Sequence, residues 1–336
     1  MRPASDRPGC LISVVCGQVS DNAPLSGIEV VVAAERLGFR DAWIGEAATY
    51  DVFALATGVA TRTREMRYTL GPLPVAVRDP VTIARGAASV AVLTGQQVNV
   101  ALGTSSDLVV EQWHGRSRAR SARALAETAQ ALAPLLRGER SQFDGELIHT
   151  SGYRLKLPAP EATITIAGFG DLAIRAAARH ADRLVVNLVT PELAGELAGQ
   201  LAAAAGQAGR DCPRIAAWVP CAVEPAAEAL VLMRRALVGY IGAPGYREMF
   251  RAAGFAALVS LALDGAGPKE VFAAMSVDLL HAVGLVGSAA DVAAGMQRYL
   301  DAGVDEICVL PALAGDPAGE RTLRTFAALA AQLPVS

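Results

Sequence analysis

The sequence predicts an α/β fold, a (β/α)8 TIM barrel with helical insertions, and three observations carry that prediction. Eight short runs of mostly apolar residues recur along the 336 residues, as strands covered on both faces require. Helix-periodic segments alternate with them across short loops, the pattern of parallel βα units. Eight strands suit a closed barrel, with a doubly wound open sheet as the competing architecture. The chain reads as a single barrel domain over 1–336, with an irregular insertion at about 138–160 and a helical one at about 224–283.

The first strand is Leu11 to Cys16, with Gly17, Gln18 and Ser20 at its carboxyl end. A helix from about Pro24 to Leu37 follows, with proline in its first turn and Gly38 as its stop. Ala42 to Gly45 is the second strand and ends on Glu46. Asp51 to Thr61 is a helix capped by Asp51, with Val52, Leu55, Ala56 and Val59 on one face. Arg67 to Leu70 is the third strand and runs into Gly71-Pro72-Leu73-Pro74; the helix Pro80 to Leu93 follows and Gly95 ends it. Val98 to Leu102 is the fourth strand, broken at Gly103. A long helix spans Ser117 to Leu136, and Gly138 to Pro160 reads as an irregular insertion or a hairpin. The remaining strands are Thr163–Ala167, Arg183–Asn187, Ile215–Val223 and Glu306–Leu310. Their helices are Leu172–His180, Pro191–Ala208, Ser288–Leu300 and Glu320–Leu333. Between Glu224 and about His281 the pattern is all-helical, with breaks at Gly242–Gly245 and Gly265–Pro268.

Composition excludes several classes of function. At 52% hydrophobic residues the chain can bury a large core, and a net charge of −3 without a Lys/Arg block lacks the footprint of a nucleic-acid binder. No apolar run approaches a membrane span, and the run from Cys10 to Cys16 is too short for a signal peptide. Five cysteines without a CxxC, and four histidines (His114, His149, His180, His281) that do not cluster, point to no metal site. The odd cysteine count argues against a disulfide framework, and a reducing, cytoplasmic location is expected. No GxSxG elbow appears, and no GxGxxG follows the first strand.

Four strand ends are polar or glycine-rich without a packing reason: Glu46, Gly71-Pro72-Leu73-Pro74, Gly103-Thr104-Ser105-Ser106 and Gly168-Phe169-Gly170. In a parallel barrel all four converge on one end, where ligands bind. Gly103 permits close approach to the backbone, and Thr104, Ser105 and Ser106 supply donors and acceptors. The competing reading is a loop in which Ser105, Ser106 or Asp107 caps the next helix. Two glycines around Phe169, between a strand and a helix, read as a phosphate cradle or as a tight turn. Asp171 in that helix's first turn suits the dipole but would repel an anion if it pointed inward. Glu46, at the end of an apolar strand, is a candidate proton relay or a partner for an arginine such as Arg78.

Several stretches together resemble the bacterial-luciferase-like superfamily. They are Ala42-Trp43-Ile44-Gly45-Glu46, Arg78-Asp79-Pro80, Ala101 to Ser106 with Val110-Glu111-Gln112-Trp113-His114-Gly115, and Ile166-Ala167-Gly168-Phe169-Gly170. The resemblance is greatest to the branch that uses the deazaflavin coenzyme F420, close to methylene-tetrahydromethanopterin reductases. Tyr240-Ile241-Gly242-Ala243-Pro244-Gly245-Tyr246, Gly254-Phe255 and Gly284-Leu285-Val286-Gly287-Ser288 resemble that branch's helical insertion and its return to the barrel.

This resemblance implies a deazaflavin ring across the ends of strands two to four. Its cofactor-binding residues would be Glu46, Gly71, Pro72, Leu73, Gly103, Thr104, Ser105 and Ser106, with the phosphate-bearing tail at Gly168, Phe169 and Gly170. It implies an oxidoreductase that moves hydride between coenzyme F420 and a small organic substrate, with Glu46 as catalytic acid, working as a homodimer. Relatives often carry a non-prolyl cis peptide at the third strand's end, a place that here falls at Gly71-Pro72-Leu73. Many also place a histidine after the second strand's acid. This chain has Ala47, which separates it from the sugar-phosphate dehydrogenases that rely on that histidine. The usual Ala-Asp-Gly reads Ala181-Asp182-Arg183, and the sequence offers no reason for the arginine. The alternatives are an FMN-dependent monooxygenase on the same barrel and a catalytically silent barrel that only binds a cofactor.

Overall fold

A computed structural model describes residues 10–17, 25–46 and 48–333. The first half of the chain comprises β1 (Leu11–Cys16), α1 (Ser26–Arg36), β2 (Asp41–Ile44), α2 (Val52–Ala60), β3 (Arg67–Pro74), α3 (Pro80–Thr94), β4 (Val98–Gly103), α4 (Ser121–Leu136), β5 (Arg140–Asp144) and β6 (His149–Arg154). Next come β7 (Ile164–Ala167), α5 (Asp171–His180), β8 (Arg183–Asn187), α6 (Pro191–Gln207) and β9 (Arg214–Val223). A helical segment follows: α7 (Ala227–Ile241), α8 (Tyr246–Ala252), α9 (Ala256–Leu263), α10 (Pro268–Ala274) and α11 (Asp278–Val283). The chain ends with β10 (Leu285–Gly287), α12 (Ala289–Asp301), β11 (Glu306–Pro311) and α13 (Glu320–Ala330).

Eight of these strands pair in parallel in the order β1-β2-β3-β4-β7-β8-β9-β11, and β11 returns to β1. The closed (β/α)8 barrel is therefore present. Because every barrel pairing is parallel, the four polar strand ends share one end of the barrel.

The local signals behave as their chemistry dictates. Asp51 caps α2 by accepting from the backbone N–H of Phe53 and Ala54. Asp79 caps α3 ahead of Pro80, and Gly95 ends that helix in the left-handed region. The outward faces of the strands pack on the helices through residues such as Val14, Ile44, Tyr68, Val100, Ile166 and Leu184. The helical segment has a second apolar cluster of its own, built on Leu237, Ile241, Met249, Phe250, Val259 and Leu279, which also takes in Leu188 just past β8.

Three features differ from the sequence reading, and of its two readings of segment 138–160 the hairpin is the one present. The helix expected from Ser117 begins at Ser121; a π-helical turn, Leu108–Trp113, and a stretch ending in left-handed Arg120 precede it. Segment 138–160 contains the ordered antiparallel hairpin β5–β6. Its turn is held by the buried Glu127 carboxylate, which accepts from the backbone N–H of Glu146, Leu147 and Ile148. Strand β3 runs on to Pro74 instead of ending at Leu70, because Leu73 and Pro74 resume pairing with β4 after a bulge. The short strand β10 is additional and pairs with the last residues of β9. The expected helix start at Pro24, the strand-end residues Gln18 and Ser20, and Ala47 lie outside the described residues.

Candidate active site

The barrel interior is layered, and its lowest layer is polar. Arg183, at the start of β8, points its guanidinium across the barrel. It donates to Glu306 Oε2 (2.5 Å), Thr69 Oγ1 (2.8 Å) and Thr165 Oγ1 (3.0 Å). Glu306 is fully buried and its other oxygen accepts from Ser13 (2.6 Å) and from the Trp43 indole N–H (2.9 Å). The guanidinium also lies 4.3 Å from the centre of the Trp43 ring. Burial alone would push the Glu306 carboxyl up; the charge of Arg183 and the Ser13 and Trp43 hydrogen bonds outweigh it and hold it below the usual range. This layer accounts for the unexplained Arg183, which neutralises a carboxylate that would otherwise be isolated inside the barrel.

Above it lies an apolar layer of Val15, Trp43, Ala101, Val185, Ala216 and Cys308, against which Ala167, Trp218 and Leu310 pack. Trp218 meets Trp43 edge-on, with ring centres 5.6 Å apart. Small residues sit over this floor. A Cβ on Gly17 would strike Leu310, one on Gly45 would lie 3.6 Å from Trp218, and one on Gly103 would lie 3.0 Å from Pro72 and 3.8 Å from Ala167. Glycine at these strand ends therefore lets the chain pass close to Leu310, Pro72 and the Trp218 indole. The Trp218 Nε1 is buried and has no hydrogen-bond partner among the described residues.

Glu46 and Arg78 meet at the ends of β2 and β3. Both Glu46 oxygens accept from Arg78 Nε (2.9 and 3.1 Å), and Arg78 Nη2 also contacts Glu46. Arg78 donates to Asp51 Oδ2 as well (2.6 Å) and lies over the Phe53 ring at 5.1 Å. The Glu46 hydrogen bonds keep the guanidinium charged above its ordinary range, against burial and with help from Asp51. Burial opposes ionisation of Asp51, and the Arg78 bond with the backbone N–H of Ala54 and Phe53 overcomes it, so its carboxyl is held low. Of the two roles expected for Glu46, these contacts make the arginine partner.

At the end of β3 the Gly71–Pro72 peptide is cis. Gly71 has φ +120°, and a Cβ there would overlap the Ala101 carbonyl oxygen. Gly71→Ala should therefore destabilise the protein by more than about 1 kcal/mol, read as a lowered unfolding midpoint in denaturant. An unchanged midpoint would show that β4 yields freely at this point.

Past β4, Ser106 accepts from the Val109 backbone N–H (3.3 Å), so it caps the π-helical turn. Thr104 instead contacts Arg118, which the sequence reading had not singled out. Ser105, exposed and left-handed at φ 56°, turns the chain between them.

The end of β7 is built differently from a free anion nest. Gly168, at φ +148°, spends its N–H on the Val185 carbonyl (3.1 Å). Gly170 is the N-cap residue of α5, with open space around its Cβ direction. Asp171 pairs with Arg175 at 3.0 Å on an exposed helix face. Phe169 packs edge-on against Tyr246 from the helical segment, 5.0 Å between centres, and Gly245 leaves it room. Tyr246 also contacts Tyr240 and Phe250 and accepts from Asn187 Nδ2 (3.3 Å). Asn187 pairs in register with Trp218, so both stand on the inner face of the barrel at this end. This aromatic and amide wall was legible only in part. Asn187 is a polar residue closing an apolar strand, as Glu46 is, but Trp218 and Tyr246 carry no such signal.

Among the described residues no group of three or more His, Cys, Asp or Glu side chains is placed to hold a metal ion, and no helix is long and apolar enough to cross a membrane.

Comparison with known proteins agrees with this geometry. The family model described as luciferase-like monooxygenase matches residues 12–306. The 5,10-methylenetetrahydromethanopterin reductase of Methanolobus tindarius is 24% identical over 294 residues, 85% of this chain and 88% of that protein. The coenzyme F420 dependent tetrahydromethanopterin reductase of Methanopyrus kandleri superposes with a TM-score of 0.80 at 17% identity, over 95% of this chain and 97% of that one. The oxygenating constituent of 3,6-diketocamphane monooxygenase from Pseudomonas putida, in complex with FMN, does so with a TM-score of 0.70 at 15% identity, over 96% and 98%.

Proposed function

We propose a deazaflavin-dependent hydride transfer, on the premise that this chain belongs to the luciferase-like monooxygenase family. The protein is an oxidoreductase of that family; the finer reading is that coenzyme F420 is its cofactor and a small organic molecule its substrate. The observation that carries it is the indole floor of Trp218 beneath glycine and alanine strand ends, with an unpartnered buried N–H. A planar ring fits over such a floor. The reductase relatives favour deazaflavin over flavin as the ring.

When bound, the cofactor supplies hydride chemistry at its central carbon. The chain's own residues bind, orient and exclude water. Gly71, Pro72, Leu73 and Gly103 would hold the ring mainly through their backbone. Trp43 and Trp218 would help exclude water. Arg78, held by Glu46 and Asp51, would offer it a fixed cation. The Asn187–Tyr246 pair, on the wall from the helical segment, is placed to orient a polar substrate group. Thr104, Ser105, Ser106 and the Gly168-Phe169-Gly170 turn receive the tail.

The FMN-bound monooxygenase neighbour favours a second reading, reduced FMN with oxygen on the same floor. Equilibrium titration with coenzyme F420 and with FMN separates the two. Tighter binding of F420 is expected. Preference for FMN would move the chemistry to the monooxygenase reading, and binding of neither would remove both. Tight binding without turnover across a substrate screen would leave a barrel that only carries the cofactor.

A further inference from the structure

We infer that Arg118, held against Thr104, is the cationic partner for a phosphate or phosphodiester lodged between the ends of β4 and β7. This rests on the cofactor reading above and adds the charge that reading lacks. At the Gly168-Phe169-Gly170 turn the Gly168 N–H is taken by Val185, and Arg175, one turn into α5, is paired with Asp171 on an exposed face. The dipole of α5 attracts an anion but does not neutralise one.

Arg118 supplies what is missing. It follows the π-helical turn and reaches back fourteen positions to the strand end, where Nη2 lies 3.4 Å from Thr104 Oγ1. Asp107 accepts from Nη1 at 2.8 Å, and Glu111 accepts from the Arg118 backbone N–H at 3.2 Å, so the loop is pinned at both ends. The Arg118 Nε is buried and has no partner among the described residues. Nη1 holds the carboxylate while Nη2 meets only a neutral hydroxyl, so the Nη2 edge is the one that would donate to an oxyanion at Thr104. Arg120 and Arg123, further along the same segment, are engaged elsewhere: Arg120 pairs with Glu146, and Arg123 with Glu127 and Glu146.

The two strand ends are also close enough to share one group. Leu102 pairs with Ile166, and a Cβ on Gly103 would lie 3.8 Å from that of Ala167. Thr104 and Gly168 are the next residues on each strand. An oxyanion between them would meet the Thr104 hydroxyl, the Arg118 guanidinium and the N-terminus of α5 together. Among the described residues Asp107 is the one carboxylate bonded to that guanidinium.

The test is a binding cycle with four ligands: FMN, riboflavin, coenzyme F420 and its phosphate-free deazaflavin core. Wild type should prefer the phosphate-bearing member of whichever pair it binds. Arg118→Met should weaken that member about tenfold or more and leave the phosphate-free member unchanged, which also shows that the fold is intact. Arg118→Lys, which keeps the charge, should retain part of the preference. If Arg118→Met loses both ligands, Arg118→Lys decides: a retained preference supports the site and a lost one overturns it. A preference undiminished in Arg118→Met overturns the inference and leaves the cofactor reading standing, as does a wild type that binds both members equally. A wild type that binds none of the four ends both.

Discussion

Replacing Arg183 by methionine should cost about 3–5 kcal/mol of folding stability near neutral pH, measured by denaturant unfolding. The reason lies in what remains. Glu306 is fully buried and Arg183 is its only ionic partner in the structure's described residues. Without the guanidinium, Ser13 and Trp43 would still hydrogen-bond the carboxylate, but nothing would balance its charge. Its folded-state pKa would then rise above the unfolded value of about 4.3. A carboxyl shifted in that direction loses stability as pH climbs from its unfolded toward its folded pKa. The gap between wild type and Arg183→Met should therefore narrow from pH 8 to pH 5. Adding Glu306→Gln should recover more than half of the loss, since the buried charge is gone. If the single variant is as stable as wild type at pH 8, the interior pair is not what secures this layer.

The second large effect concerns Glu46. Glu46→Gln keeps the size of the side chain and one acceptor oxygen but removes the charge facing Arg78. Charge-assisted hydrogen bonds contribute about 1.5–3 kcal/mol each, and the bidentate contact is lost. Arg78 would keep Asp51, which is about half exposed and binds it at a single oxygen. Cofactor affinity should fall about tenfold to a hundredfold, while kcat at saturating cofactor survives. The opposite pattern, intact affinity with turnover down about 10²–10⁴, would restore Glu46 as the proton carrier. Two oxygens engaged by one guanidinium are the reason for expecting the first pattern.

The barrel was legible in the residue pattern. Apolar strands such as Val98–Leu102 and Ile215–Val223, alternating with helical periods, leave few architectures that cover both faces of a parallel sheet. That pattern also pointed to the strand ends worth attention, because a polar or glycine-rich break after an apolar run marks where the chain leaves the sheet. Asp51, Asp79 and Gly95 were readable because caps act within a few residues of themselves.

What those residues touch depends on how the barrel closes. Arg183 and Glu306 are 123 positions apart, and Asn187 and Tyr246 are 59 apart; no local pattern links them. Closure of the barrel puts Ser13, Thr69, Thr165, Arg183 and Glu306 on one inner level, where an arginine unexplained at the sequence level becomes the counter-charge of a buried acid. The same closure set Glu46 opposite Arg78 and took the Gly168 N–H into the strand ladder. Periodicity reports which face a side chain takes; partners across a closed barrel depend on register between strands that are distant in sequence.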